Sequence, residues 1–262
     1  MTVDPAEFSM TDVAPTVSTI LGLPTPAQAT GSVISSVVDD LADRERVALL
    51  APDALGDFAW QQWQDSMPYL KSLHAERSII LRSIMPSVTP VNFACMVTGA
   101  DLSVHGVRAK EQTFQCETLF DVIRSAGGKS AGVGLTGYTG DQLLGRHADF
   151  WGNAGEGSDD DVASKVIEVV DRDAPQFVIA QLGRVDDAFH KYGPSSPSVV
   201  PTLSGTDARL ERLVTHLKPM GYGVIILSDH GQHDLPEATQ GGKRGGHGTD
   251  SPEDCRVPCT WI

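Results

Sequence analysis

The sequence predicts an α/β protein: a mainly parallel sheet with helices on both faces. Three observations predict it. Short apolar runs recur along the chain at the length of buried strands. Amphipathic segments with helical spacing lie between them. Three aspartates, Asp53, Asp186 and Asp229, each follow closely on one of the apolar runs. Ligands of open α/β sheets bind beyond the carboxyl ends of the strands, so three acids from three strands should converge on one edge.

The elements follow in chain order. Arg46-Val47-Ala48-Leu49-Leu50 and Ser78-Ile79-Ile80-Leu81 read as buried strands. So do Ala131-Gly132-Val133-Gly134, Phe177-Val178-Ile179-Ala180 and Val224-Ile225-Ile226-Leu227. A helix is expected over 92–98 and another over 119–126, the second ended by Gly127-Gly128. Val162, Val166, Val169 and Val170 keep helical spacing, as do Leu210, Leu213, Val214 and Leu217. Alternation of this kind implies parallel strands joined by helical crossovers. The Gly-, Pro- and Ser-rich loops at 152–158, 193–198 and 241–249 are too short to link independent domains. The expectation is one catalytic domain over 1–262.

Composition narrows the function. The chain has 262 residues and a formal charge of −14. That charge argues against a nucleic-acid polymer or an anionic membrane as the main partner. Bound cations would offset part of it, because metal-site carboxylates count as excess acid in a sequence tally. With no basic-apolar leader and no membrane-length apolar run, the sequence reads as cytoplasmic. Cys95, Cys116, Cys255 and Cys259 do not form a disulfide pattern and read as buried or half-buried thiols. Nothing in the sequence sets an oligomeric state.

The residues that carry chemistry are Asp, His and Thr. Thr89 stands where a helix begins; its hydroxyl suits either an N-cap or a nucleophile beside phosphate-binding N–H groups. Asn92, one turn on, is a candidate to donate its amide to a non-bridging oxygen. Asp186 and His190 are four residues apart and share a face, with Asp187 as the competing ligand. Asp229-His230-Gly231 directly follows a strand, so adjacent ligands can share one metal or straddle two, and Gly231 permits a tight backbone path. His247 lies among glycines with little to bury it. His233 is a candidate pocket residue, and His105 a helix cap or a support for the site. Arg184 reads equally as a substrate contact and as a surface charge. His74, His147 and His216 read as ordinary solvated or helix-end residues.

The ordered set resembles the alkaline phosphatase superfamily, in its nucleotide pyrophosphatase/phosphodiesterase-like branch. It comprises Pro52-Asp53, Thr89-x-x-Asn92 with Val97-Thr98-Gly99, Val104-His105-Gly106, Asp186-x-x-x-His190-Lys191-Tyr192-Gly193-Pro194, Ser228-Asp229-His230-Gly231 and Gly246-His247-Gly248. The resemblance implies an alkaline phosphatase-like fold and two divalent metal ions. Zinc is the usual occupant, and manganese serves in relatives. It implies one metal at Asp186, His190 and His247 and the other at Asp53, Thr89, Asp229 and His230. Thr89 and Asn92 would be catalytic, and Asn92, Arg184 and His233 would contact a small phosphorylated substrate.

A second likeness lies at the front of the chain. Thr11-Asp12-Val13-Ala14-Pro15-Thr16-Val17 with Leu21-Gly22-Leu23-Pro24 resembles a segment that the superfamily places after its last metal histidine. Residues 1–43 therefore read as a circularly permuted piece of the domain. Pro90 stands where phosphodiesterase relatives carry an aromatic residue, and the short stretch from Gly106 to Asp186 leaves room for a small cap domain or none. The expected activity is hydrolysis of phosphate diesters or phosphoanhydrides through a phosphothreonine. A phosphomonoesterase, a phosphonate C–P hydrolase like the phosphonoacetate hydrolases, and a non-catalytic phospholigand binder stay open.

Overall fold

The computed structural model describes residues 8–239 and 241–262, so residues 1–7 of the predicted 1–43 segment lie outside it. Among the described residues, ten strands form in chain order: β1 Phe8–Ser9, β2 Arg46–Pro52, β3 Ile79–Arg82, β4 Ser130–Gly134, β5 Phe150–Asn153, β6 Phe177–Leu182, β7 Tyr222–Leu227, β8 His233–Asp234, β9 Gly245–Gly246 and β10 Arg256–Trp261. The helices are α1 Val13–Ile20, α2 Ser35–Leu41, α3 Asp57–Trp63, α4 Pro68–Glu76, α5 Thr89–Thr98, α6 Leu102–His105, α7 Leu119–Ser125, α8 Asp159–Asp173, α9 Arg184–Tyr192, α10 Val200–Leu217 and α11 Pro252–Cys255. All five strands read from the sequence are present, several longer by one or two residues.

Eight strands make one sheet in the order β1-β3-β10-β7-β2-β6-β4-β5. Every pairing is parallel except those of β10, which runs antiparallel between β3 and β7. The two-stranded β8–β9 ribbon stands apart. Helices cover both faces, which is why the central strands are apolar throughout rather than alternating. In β2, Val47, Leu49 and Ala51 join the core under α1, α2, α5 and α7, whereas Ala48 and Leu50 join the core under α3, α4, α8 and α10. The segment between Gly106 and Asp186 supplies α7, β4, β5, α8 and β6, all of them parts of the main sheet and its cover.

The permuted reading of 1–43 is not shown by this arrangement. What the fold shows is where residues 8–41 pack: β1 on the free edge of β3, and α1 between α2 and α5. The thiols behave as read, with Cys95, Cys255 and Cys259 buried and Cys116 half-buried, all free. Among the described residues, no helix is long and apolar enough to cross a membrane.

Candidate active site

Three adjacent strands deliver the three acids. In the order β7-β2-β6, Asp229 lies two residues beyond β7, Asp53 one beyond β2, and Asp186 in the first turn of α9 after β6. The loop after β2 is strained: Ala54 adopts the left-handed region at φ 64°. Its N–H donates to Asp229 Oδ1 at 3.2 Å, so the strain locks the Asp53 turn against the Asp229 turn. Gly231 is needed where the same loops meet, because a Cβ there would run into the Glu253 carbonyl and the Gly56 backbone. Ser83 Oγ donates to the Asp229 carbonyl at 2.7 Å, fixing the β7 end from the other side.

The three imidazoles are held alike. His190 Nδ1 lies 2.9 Å from the Gly245 carbonyl, His247 Nδ1 3.0 Å from the Ser87 carbonyl, and His230 Nδ1 3.0 Å from the Gly231 carbonyl. A carbonyl only accepts, so each Nδ1 carries a proton and Nε2 is the nitrogen left to bind a proton or a metal. Those Nε2 atoms face carboxylates. His230 Nε2 is 3.3 Å from Asp229 Oδ2 and 3.6 Å from Asp53 Oδ1. His190 Nε2 is 3.5 Å from Asp186 Oδ2, and His247 Nε2 is 3.7 Å from Asp186 Oδ1. Such a contact is favourable only with a proton or a metal cation between the two atoms. A tetrahedral ion with bonds of about 2.0–2.1 Å sets its ligands about 3.3–3.4 Å apart. The cluster has close to that spacing.

Two further observations fit a cation. Asp53 Oδ1 and Asp229 Oδ2 are buried without a hydrogen-bond partner. Burial, then the charges of Asp229 and Asp186, hold the Asp53 carboxyl well above its ordinary range. Burial also raises Asp186, against the opposing pull of His230 and His190. His247 is pulled down to about 3, first by burial and then by His230. Potential ligand atoms gather as Asp53, Asp229 and His230 and as Asp186, His230 and His247. His230 is thus shared between groups that the sequence kept apart, and its ring stacks on His247 with centroids 4.1 Å apart. His190 flanks the second group, 5.1 Å from His247 by ring centroid.

Thr89 faces this cluster. It opens α5, but its side chain caps nothing; the N-cap is Val88 and has no side-chain bond. The hydroxyl instead lies 3.1 Å from His230 Nε2. Beside it opens a cleft of about 390 Å³ whose lining includes Asp53, Thr89, Arg108, Lys110, Tyr138 and Asp186.

Comparison with known proteins agrees with the geometry. The type I phosphodiesterase / nucleotide pyrophosphatase family matches residues 120–244. Phosphonoacetate hydrolase from Sinorhizobium meliloti 1021, solved with phosphonoacetate, superposes with a TM-score of 0.57 at 18% identity, over 74% of this chain and 58% of its own. Murine ectonucleotide pyrophosphatase / phosphodiesterase 5 superposes at 0.59 and 18% identity, over 73% and 58%. The human protein of that name gives 0.52 and 20%, over 72% and 58%. The chain shares the alkaline phosphatase-like fold of these structures, and a little under half of it matches the phosphodiesterase family. It spans under two thirds of the length of these solved relatives, and no curated protein matches its sequence.

Within that fold, several side chains read from the sequence as site residues are engaged by the protein itself. Asp186, not Asp187, faces the histidines; Asp187 accepts from Tyr138 Oη and from Arg184. Asn92 is fully buried and aimed away from the cleft. Its Oδ1 accepts from Ile84 N at 2.7 Å, and its Nδ2 donates to the Ile84 and Val88 carbonyls. Its amide is fully used in bracing the loop that carries Thr89, so it has no donor left for a substrate oxygen. The Arg184 guanidinium is likewise engaged, by Asp187, Tyr138 Oη and the Gly157 carbonyl. It braces Tyr138, which lines the cleft. His233 pairs with Asp254 at 2.8 Å on the β8–β9 ribbon, outside both ligand groups.

Other contributors escaped the sequence reading. Gln181 on β6 donates to Asp53 Oδ2, and Gln232 donates to Asp186 Oδ1. Each fixes one carboxylate of the cluster. Gln232 directly follows Asp229-His230-Gly231, a proximity that could have flagged it; Gln181 carried no signal beyond a polar residue in an apolar strand.

Proposed function

We propose that this chain is a metal-dependent hydrolase of phosphate diesters or phosphoanhydrides that uses Thr89 as its nucleophile. One observation carries the reading: three histidines held through Nδ1 aim Nε2 at carboxylates, with the Thr89 hydroxyl in the same cluster. Asp53, Asp229, His230 and Thr89 would hold one divalent ion, and Asp186, His190 and His247 the other, zinc or manganese by donor type. Such ions lower the pKa of a bound hydroxyl and neutralise charge on the phosphoryl oxygens.

The chain's own residues do the rest. The short α5 start and the Asn92-braced loop hold Thr89 Oγ1 at the mouth of the cleft. Oγ1 loses its proton to solvent and attacks phosphorus; an Oγ1–P bond forms as the bond to the leaving oxygen breaks, and that oxygen departs with its electron pair and takes a proton from solvent. Water then attacks the phosphothreonine, the Oγ1–P bond breaks, and the hydroxyl is restored. Gln181 and Gln232 keep Asp53 and Asp186 oriented throughout. A murine relative supports the nucleophile assignment: its threonine-to-alanine variant, described as inactive, was solved with AMP bound.

Thr89→Ala should lower turnover of bis(p-nitrophenyl) phosphate by on the order of 10⁴-fold. It should leave most metal binding, since the remaining ligands stay in place. Thr89→Ser should retain partial activity. Acid quenching during turnover, then mass spectrometry, should find a phosphoryl group on the peptide containing Thr89. Ordinary diesterase activity with alanine at position 89 would mean that water attacks directly and that Thr89 is not the nucleophile. Metal-bound protein inactive on diesters, monoesters and phosphonates alike would favour the non-catalytic binder.

A further inference from the structure

The lining of the cleft also carries two cations that the proposed chemistry does not use. Arg108 and Lys110 both line the cleft with Thr89 and Asp186. Among the described residues neither forms an ion pair, with Asp53 and Asp186 or with neighbouring Glu111. The Arg108 guanidinium has no hydrogen-bond partner there either, and Lys110 Nζ meets only the Gly137 carbonyl across the cleft. Cations without an acidic partner in a cleft lining are conspicuous in a chain of charge −14.

The loop that presents them is built rather than loose. Buried His105 accepts from Val107 N at 3.0 Å through Nδ1, and its carbonyl accepts from Gln115 N. The Gln112 side chain accepts from the N–H groups of both Arg108 and Ala109. Arg146 donates to the Glu111 and Gln112 carbonyls and pins the loop's far side. Such anchoring fixes where the two cations stand before a ligand arrives, which lowers the cost of ordering them on binding.

We infer that Arg108 and Lys110 form a subsite for a second anionic group on the substrate, a phosphate or a carboxylate beyond the reacting phosphorus. The inference rests on the hydrolase reading above. Arginine suits the role because its fork matches both oxyanions bidentately. The Lys110 ammonium, bonded to the Gly137 carbonyl, would turn from it to the anion as the cleft fills.

The test is a substrate ratio. kcat/KM would be measured for bis(p-nitrophenyl) phosphate, which has no second anion, for ATP, which adds phosphates, and for phosphonoacetate, which adds a carboxylate. Parent protein would be compared with the double variant Arg108→Gln, Lys110→Gln, in which glutamine can still bond Gly137. The ratio of the anionic substrate to the diester should fall about 10–100-fold, the loss expected for charge-assisted hydrogen bonds. Whether it falls for ATP or for phosphonoacetate names the anion, and Arg108→Lys should restore part of it. Unchanged ratios for both would overturn the subsite. If the parent hydrolyses none of the three, the hydrolase reading fails by itself. The subsite is then judged by calorimetry with inorganic pyrophosphate on manganese-loaded Thr89→Ala protein. There the double variant should weaken binding by a similar factor, and equal affinity would refute the role.

Discussion

The middle of strand β2 and its carboxyl end obey opposite rules. From Val47 to Ala51 every residue is fully buried and apolar, and the backbone is bonded to β6 on one side and β7 on the other. Side chains alternate between the two cores. Two residues further on, Asp53 is almost as buried, yet one of its oxygens has no partner. Ala54 then sits in a left-handed conformation, and three carboxylates crowd one another. Within three residues the chain passes from full satisfaction to electrostatic frustration. The strand middles supply the stability that holds the ends in a geometry suited to cations and phosphate rather than to folding.

That contrast can be broken from either side. In the strand middle, Leu50→Ala should cost about 2–5 kcal/mol, because a close-packed core leaves a cavity. Urea unfolding would measure it, and the folded fraction should keep its turnover. A loss of turnover without loss of stability would mean that the core and the site are not separable in this way. A smaller effect is expected at the junction. Asn92→Ala removes the bonds that brace residues 84–88 and strands the Ile84 N–H, at about 1–3 kcal/mol. Stability and kcat should fall together. A substrate-contacting Asn92 would instead lower kcat alone.

The smallest effect is in pH. Burial holds His105 and His74 neutral, with each pKa drawn down to about 4. Their unfolded value is near 6.5. A group with a depressed histidine pKa binds more protons when unfolded, so its stabilising effect is complete above about pH 6.5. It fades as pH falls from there toward 4. Asp53 and Asp186, raised by burial, act with the opposite sign, so the comparison must be parent against His105→Gln in chelator. The parent's Tm should drop more steeply between pH 6.5 and 4.5, and parallel curves would remove His105 from the account.

Much of this was legible in the sequence, because periodicity and strand-end acids are local signals. The five apolar runs, the helix spacings of α8 and α10, and the position of Asp53, Asp186 and Asp229 after their strands needed no tertiary information. The antiparallel placement of β10 between β3 and β7 did, since strand order is decided by long-range packing. Orientation was illegible for a similar reason. Asn92 is one helical turn from Thr89, and sequence spacing alone could not show that its amide turns back to Ile84. Arg184 precedes Asp186 closely, but Asp187, Tyr138 and Gly157 claim its guanidinium from segments 3 to 46 positions away. Gln181 and Arg108 went unread because an isolated polar residue has no period or motif to mark it.

The central claim is that the strand-end carboxylates are frustrated without metal and satisfied with it, and Asp53→Asn tests it most directly. The substitution removes one of the crowded charges while keeping a side chain of the same shape. Thermal melts of parent and variant should be run at pH 7.5, once in chelator and once with saturating zinc or manganese. The account predicts a change of sign: the variant melts higher than the parent in chelator, because repulsion and an unpartnered oxygen are relieved. With metal it melts lower, because it binds the ion more weakly and gains less from it. A variant that melts below the parent by the same margin in both conditions would contradict the account, since Asp53 would then be a structural residue rather than a ligand.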